Sequence, residues 1–397
     1  MSPVGPTTVI GVVGAGAMGA GIAQVAAMSG HRVVLGDAVP AAVAKARVGH
    51  AKAMAREVEK GRLTREAADV VLARLTYVEG VDSSALSTFG RCAFVIEAIV
   101  EELAAKRALF AVLEGVIAPE AILATNTSSL SVAAIAGACA RPERVIGVHF
   151  FNPAPVLPLV EIVPAISTAT VVTAAARDLV VSWNKIAVVC SDTPGFIVNR
   201  IARPFYGEAL RIAEEHLADP ATIDWAMREL GGFKMGPFEL MDFIGNDVNF
   251  AVTSSVYEAM FQDPRYRPSL TQRRLVDAGL LGRKSGRGHY VYGQGALAPP
   301  PNTDLVLGHR ILERILAMLV NEAVDAVRLR IASPQDIEVA MTRGVNYPKG
   351  LLAWGDEIGP ATVLATLESL QAEYGEDRYR PSPLLKQAVR DGGRLLR

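Results

Sequence analysis

Short apolar runs rich in valine and isoleucine alternate with longer segments of helical period through the first half of the chain. This alternation predicts a parallel sheet with crossover helices. The predicted strands are Thr7–Val13, Arg32–Leu35, Phe94–Glu97, Ile122–Ala124, Val145–His149, Leu159–Val163 and Ile186–Val189. A charged, alanine-rich segment from Ala38 to Thr76, with Gly61 as a helix stop, predicts a helix pair projecting from the sheet. After Asp192-Thr193-Pro194-Gly195 the strand pattern ceases, and from Phe196 onward the period is helical, punctuated by Pro237, Pro264 and Pro268.

A Gly, Ala and Pro stretch from Gly293 to Pro301 then reads as a linker. Beyond it the chain repeats itself. Pro220, Ile223, Met227, Gly236, Asp242 and Gly245 match Pro334, Ile337, Met341, Gly350, Asp356 and Gly359, each pair 114 residues apart (220 to 334, 245 to 359). A constant offset over six positions indicates a duplicated helical domain. The copies differ at Asn199, whose counterpart is Glu313, so chemistry that uses Asn199 belongs to the first copy alone. The expected fold is thus α/β plus all-α: a Rossmann-like domain (1–191), a first helical domain (192–292), a linker (293–304) and a second, degenerate helical copy (305–397).

Composition narrows the function. With 397 residues, 50% hydrophobic and 20% charged, the chain is an ordinary globular protein of two or three domains. Its net charge of -1 offers no basic excess for a phosphate backbone, so nucleic acid is not expected as a partner. Cys92, Cys139 and Cys190 are far apart, with no C-x-x-C and no histidine cluster. They read as reduced core thiols, with no metal site. The apolar stretch Val9–Ala27 resembles a membrane or signal segment until Gly14, Gly16, Gly19 and Gly21 are noticed and the lack of a positive flank is added. No membrane partner is expected, and a cytoplasmic location is.

Those glycines carry the first chemical signal. The strand ending at Val13 runs into Gly14-Ala15-Gly16-Ala17-Met18-Gly19 and then a helical pattern, the G-x-G-x-x-G context that cradles a pyrophosphate at a helix start. Asp37, after the second strand, stands where adenosine ribose hydroxyls would lie, and its charge favours NAD over NADP. The rival reading makes Asp37 a cap for a helix starting near Ala41.

The second signal is His149-Phe150-Phe151-Asn152-Pro153, followed by Glu161. At a strand end, a neutral imidazole can take a hydroxyl proton while hydride leaves the same carbon, and a carboxylate can orient the ring. A packed core histidine is the rival. Asn126-Thr127-Ser128-Ser129 follows another strand end and brings polar groups to the same edge, although Ser129 or Ser131 suits a helix cap. Asn199 begins a helix and has the same two readings.

Together, GAGAMGAGIA, EAIVEE, NTSSLS, HFFNPAPVLPLVEIV, DTPGFIVNRI, GPFELMDFIG and GRKSGRGHY occur in the order and spacing of one family. The sequence resembles the 3-hydroxyacyl-CoA dehydrogenases over nearly its whole length. The resemblance implies NAD-dependent, reversible oxidation of a (3S)-3-hydroxyacyl-CoA to the 3-oxoacyl-CoA, in fatty-acid β-oxidation or phenylacetate-type breakdown. It implies a catalytic dyad of His149 and Glu161, with Ser128 and Asn199 positioning the substrate oxygen. It further implies NAD contacts from Asp37, Glu101, Lys106, Asn126, Ser128, Asn152 and Lys284 besides the glycine-rich turn, and places Lys60 near the coenzyme A phosphates.

Within the family, the stretch from Asp247 to Gly286 is similar to the branch acting on 3-hydroxyadipyl-CoA, with the 3-hydroxybutyryl-CoA enzymes close behind. Arg200, Arg203 and Arg283 are the cations available to a dicarboxylic tail. Two-domain members dimerise through their helical domain, so the second copy here implies an internal pseudo-dimer in a monomer, with a homodimer as the alternative. Two other readings compete. A sugar-acid (gulonate-type) dehydrogenase would use the same scaffold without coenzyme A, although Phe150 and Phe151 make an apolar wall suited to an acyl chain. A non-catalytic NAD-binding scaffold would leave the dyad unexplained.

Overall fold

The computed structural model describes residues 5, 8–80, 83–293, 295–297 and 299–396. Thr7 of the expected first strand and Gln294 and Ala298 of the expected linker lie outside them. The chain divides into two compact units, Met1–Thr193 and Pro194–Arg397.

The first unit is built on one eight-stranded sheet. Its strands are β1 (Val9–Val13), β2 (Arg32–Asp37), β3 (Leu75–Glu79), β4 (Phe94–Glu97), β5 (Ile122–Thr125), β6 (Val145–Phe150), β7 (Leu159–Pro164) and β8 (Ile186–Val189), in the order β3-β2-β1-β4-β5-β6-β7-β8. Neighbours run parallel except β6 and β7. Every residue of β1, β4, β5 and β6 is buried, as expected of parallel strands covered on both faces. Each fully buried Val, Ile or Phe there, such as Ile10, Phe94 or Ile146, contributes about 1.5–3 kcal/mol relative to exposure. The strand order reverses direction between β1 and β4, which leaves a crevice at the carboxyl ends of those strands.

Two expectations are corrected. The sheet has an eighth strand, β3, which overlaps the last two residues of the segment assigned to helices and was not expected. Only Leu75 of β3 is buried, so this edge strand carries little alternation for a sequence to display. The helices of that segment are Pro40–Glu59 and Arg65–Ala73, with Gly61 at φ 67° ending the first. They do not project clear of the sheet, because Val43, Ala46 and Met54 of the first helix join the core with Ala68 and Val71 of the second. Lys60, at the C-terminal end of the first helix, is exposed.

The second unit is helical among the described residues, and the 114-residue spacing reappears in its hydrogen bonds. The Asp224 carboxylate accepts from Phe238 N and Glu239 N at 2.9 Å each, and Glu338 accepts from Leu352 N and Ala353 N at 2.8 and 3.1 Å. Asp242 accepts from His289 N and Tyr290 N, while Asp356 accepts from Leu395 N and Leu396 N. Gly245 and Gly359 share a positive φ, 105° and 93°, at the junction between two helices where a side chain would be strained.

The copies bury their faces on each other. The Leu305–Arg328 helix packs on Arg203–Glu214, and two ion pairs cross between the copies in reciprocal fashion. Arg200 Nε donates to Glu322 at 2.6 Å, and Arg314 Nε donates to Glu208 at 2.6 Å. Arg200 and Arg314 are 114 residues apart, as are Glu208 and Glu322, so each copy offers the other the same pair of groups. Tyr266 and Tyr379 add hydroxyl donors to Glu322 and Glu208 respectively.

Candidate active site

The carboxyl ends of β1, β2 and β4 open on a cleft of about 770 Å³ lined by Gly14, Gly16, Asp37, Val39, Ile99 and Val100. The glycines explain its shape. A Cβ on Gly14, whose φ is 107°, would lie 2.4 Å from Ala98 O, and one on Gly19 would lie 1.7 Å from Gly14 O. Gly16 faces open space and forms the N-cap of the Ala17–Met28 helix without a side-chain cap, so the helix start remains accessible to an anion. Asp37, half-buried, accepts from Ala15 N at 2.6 Å and from Val39 N at 2.8 Å, and it does not cap the helix that begins at Pro40. Each of its oxygens retains a lone pair for a ribose hydroxyl. The turn, the open helix start and the acidic rim fit NAD.

Beneath the next strand ends lies a buried charge cluster. Glu97 closes β4, fully buried, and accepts from Ile99 N at 2.7 Å, Thr125 Oγ1 at 2.7 Å and Lys106 Nζ at 2.6 Å. Lys106, 1% exposed, also reaches Glu101 at 3.2 Å. Glu101 in turn accepts from Thr127 Oγ1 at 2.7 Å, Ser128 N at 2.8 Å and Ser129 N at 3.1 Å, and so fixes the turn that presents Ser128. Burial alone would raise the Glu101 carboxyl, but the Lys106 ammonium and the bonds from Thr127 and Ser128 outweigh it and hold its pKa below the ordinary range. Lys106 therefore sits under this turn with its ammonium committed to two carboxylates.

The dyad follows from strand pairing. In the antiparallel β6–β7 ladder His149 lies directly opposite Glu161, so the two side chains share one face. His149 Nδ1 and Glu161 Oε2 are 2.7 Å apart, with His149 5% and Glu161 0% exposed. With the carboxylate ionised, Nδ1 carries the proton and Nε2 is the basic nitrogen. Asn126, at the end of β5, accepts from Phe150 N at 2.8 Å and ties the strand bearing His149 to its neighbour. Phe151 packs on the imidazole with ring centroids 4.6 Å apart. Phe150 points the other way, into the core against Trp183, so only Phe151 of the expected apolar wall lies on the dyad's side.

The remaining expected residues are dispersed. Asn152 is exposed on the loop after β6, and Lys60 is exposed at the helix end. Asn199 and Lys284 belong to the second unit, where Asn199 is half-buried and Lys284 pairs with Asp247 at 2.6 Å. Arg200 and Arg203 cannot serve a dicarboxylic tail. Both are buried, Arg200 on Glu322 and Arg203 on Asn199 O and Thr253, which leaves Arg283 as the exposed member of the three. Among the described residues there is no cluster able to hold a metal ion and no helix long and apolar enough to cross a membrane.

Residues 9–193 match the family model described as the 3-hydroxyacyl-CoA dehydrogenase NAD-binding domain, and 195–292 and 311–395 both match the C-terminal domain of the same family. The chain belongs to the 3-hydroxyacyl-CoA dehydrogenase family. Members of this family are NAD-dependent oxidoreductases. Among relatives, the Escherichia coli 3-hydroxyadipyl-CoA dehydrogenase is 41% identical, with 95% of this chain and 96% of that protein covered. A probable 3-hydroxybutyryl-CoA dehydrogenase of Deinococcus radiodurans is 42% identical over 71% of this chain and 99% of its own length. A crystal structure of an Escherichia coli K12 3-hydroxybutyryl-CoA dehydrogenase superimposes with a TM-score of 0.90 at 38% identity, covering 97% of this chain and 99% of that one.

Some residues of this 3-hydroxyacyl-CoA dehydrogenase site escaped the sequence reading. Glu97 stands in the EAIVEE segment, yet nothing in the segment distinguishes the buried Glu97 from the exposed Glu101. Asp192 accepts from Val132 N at 3.0 Å, Ala133 N at 2.7 Å and Ser131 Oγ at 2.9 Å, and so caps the helix after the Ser128 turn. Ser131 is that helix's N-cap, as one of the two capping alternatives had it. Lys185 Nζ donates to Ala154 O at 2.6 Å and Leu157 O at 2.8 Å, pinning the loop that follows His149.

Proposed function

We propose that the chain catalyses reversible NAD-dependent oxidation of a (3S)-3-hydroxyacyl-CoA to the 3-oxoacyl-CoA, with His149 and Glu161 as the catalytic dyad. The 2.7 Å pair at the sheet edge carries the proposal. When bound, NAD supplies the hydride acceptor. Gly14 to Gly19 and Asp37 hold it, with Glu101, Lys106, Asn126, Ser128, Asn152 and Lys284 as the further contacts that the family resemblance implies. Lys106, being buried, acts through Glu101.

In the oxidative direction His149 Nε2 accepts the hydroxyl proton, while the Nδ1 proton stays with the ring and bonds Glu161. Burial of the carboxylate makes this charge pairing stronger than it would be in water, so Glu161 stabilises the imidazolium and fixes its tautomer. Ser128 and Asn199 orient the substrate oxygen, and exposed Lys60 meets the coenzyme A phosphates. In reduction of a 3-oxoacyl-CoA the same imidazolium returns the proton.

The acyl group is a 3-hydroxybutyryl or 3-hydroxyadipyl chain, in keeping with the relatives that span most of this chain. The reciprocal Arg–Glu pairs support an internal pseudo-dimer, with domains at 1–191, 192–292 and 305–397 joined by 293–304. Three cysteines outside any disulfide suit the cytoplasm. NADH oxidation measured across acetoacetyl-CoA, longer 3-oxoacyl-CoAs, 3-oxoadipyl-CoA and free oxo acids tests the reading. Activity with a coenzyme A thioester is expected. Activity confined to free acids would replace it with the sugar-acid enzyme, and no oxidation with any substrate would leave a scaffold.

A further inference from the structure

The second unit holds a hollow of about 400 Å³ whose lining carries five cations, Arg265, Arg328, Arg380, Lys386 and Arg390, against one carboxylate, Asp325. Asp325 accepts from Arg265 Nη1 at 3.3 Å and Arg328 Nε at 2.6 Å, and the buried Glu322 also accepts from Arg265 Nη1 at 3.2 Å, so Arg265 is held by two carboxylates. Arg380 lies 3.2 Å from Asp263 and 3.9 Å from Asp377, and Lys386 lies 4.0 Å from Glu368. These are exposed pairs of small worth. Arg390 is exposed and makes no ion pair among the described residues. Arg265, 4% exposed, keeps an Nε without a partner.

The first copy shows what belongs at this place. Arg-Tyr-Arg-Pro-Ser occurs twice, at Arg265–Ser269 and Arg378–Ser382, 113 residues apart, each time leading into a helix. In the first copy the Glu214 carboxylate fills the helix start, accepting from Ser269 Oγ and from Thr271 N at 3.2 Å, while Ser269 Oγ accepts from Gln272 N. In the second copy Arg328 stands at the Glu214 position and Arg390 at the Asp277 position. Ser382 turns its Oγ to Asp325 at 3.1 Å and does not cap the Pro383–Arg390 helix. Leu384 N and Leu385 N have no partner among the described residues. A built-in anion has been exchanged for cations and an uncapped helix start.

We infer that this hollow binds a phosphate dianion, either inorganic phosphate or the phosphoryl group of an organic ester, in the place that the Glu214 carboxylate fills in the first copy. A carboxylate would meet one charge. Several arginines lining one hollow beside an uncapped helix start match the several acceptor oxygens and double charge of a phosphoryl group.

The test is calorimetry of the full chain at constant ionic strength, with inorganic phosphate and ribose 5-phosphate as probes. Arg390→Asp and Arg328→Glu, which install the first copy's acids, are compared with the wild type. Saturable binding weakened at least tenfold by either substitution, with acetoacetyl-CoA turnover unchanged, is the expected result. Equal affinity for the two probes would support it with free phosphate as occupant, and tighter ribose 5-phosphate binding would support it with an ester. Absence of saturable binding, or Arg390→Asp and Arg328→Glu variants that bind as the wild type does, would overturn it.

Discussion

Glu161 stands opposite His149 in the β6–β7 ladder, and the eleven residues between them give an antiparallel pair the length it needs to turn and bring them face to face. Because the pairing is set by strand register, replacing Glu161 by Gln should keep the fold and the hydrogen bond while removing the charge that stabilises an imidazolium. Turnover of acetoacetyl-CoA is expected to fall about 10²–10⁴-fold, the usual scale of general acid–base contributions, with NADH affinity unchanged by fluorescence titration. His149→Ala should lose at least as much. Near-normal turnover in either variant would remove the dyad from the mechanism.

Lys106 tests a different link, from burial to site order. Its ammonium lies between Glu97 and Glu101, and Glu97 has no exposed surface. Lys106→Met leaves a buried carboxylate unpaired and should cost about 3–5 kcal/mol of stability in urea unfolding. Glu97→Gln in the same chain should recover much of that loss. If Lys106 also orders the Ser128 turn through Glu101, the double variant should unfold normally yet retain a raised KM for the acyl-CoA.

The crossed pairs Arg200–Glu322 and Arg314–Glu208 make the oligomeric state testable. A chain that supplies its own two-fold partner should elute as a monomer, with light scattering giving a mass near 42.1 kDa. Glu208→Gln and Glu322→Gln should destabilise to similar extents, because each removes a buried carboxylate charge that faces two buried arginines, Arg314 and Arg378 or Arg200 and Arg265. A dimer whose dissociation follows Glu208→Gln would show that the first copy still pairs between chains.

Much of the sheet was legible because strands buried on both faces appear as unbroken apolar runs, as in Val9–Val13 and Val145–Val148. β3 was not, since an edge strand with only Leu75 buried differs little from the end of the preceding helix. His149 and Glu161 were visible as residue types at strand ends. The partners that order the site's other groups, Lys106 for Glu101 and Asp192 for the helix after Ser128, depend on contacts between distant segments that no periodicity encodes. The Arg-Tyr-Arg-Pro-Ser repeat escaped for another reason. It lies 113 residues from its copy, one short of the 114 that aligns the rest, so a fixed offset passes over it.

Histidines away from the dyad set the pH dependence of the first unit. His50 is 2% exposed, with Nδ1 2.8 Å from Tyr77 Oη and Nε2 2.8 Å from Ala20 O, and so ties β3 to the Ala17–Met28 helix. Burial lowers its pKa, with the Ala20 carbonyl only partly opposing, and burial lowers that of His31 likewise. The folded state therefore resists protonation that the unfolded chain accepts. Stability from this source is complete above the unfolded histidine value of about 6.5 and is lost as pH falls from there through the lowered folded values. Urea midpoints of the first unit's transition should thus be flat from pH 8 to 7 and decline below about 6.5. His50→Gln should lower the midpoint at pH 8 but shallow the decline on acidification. An equally steep decline in that variant would assign the acid sensitivity to other groups.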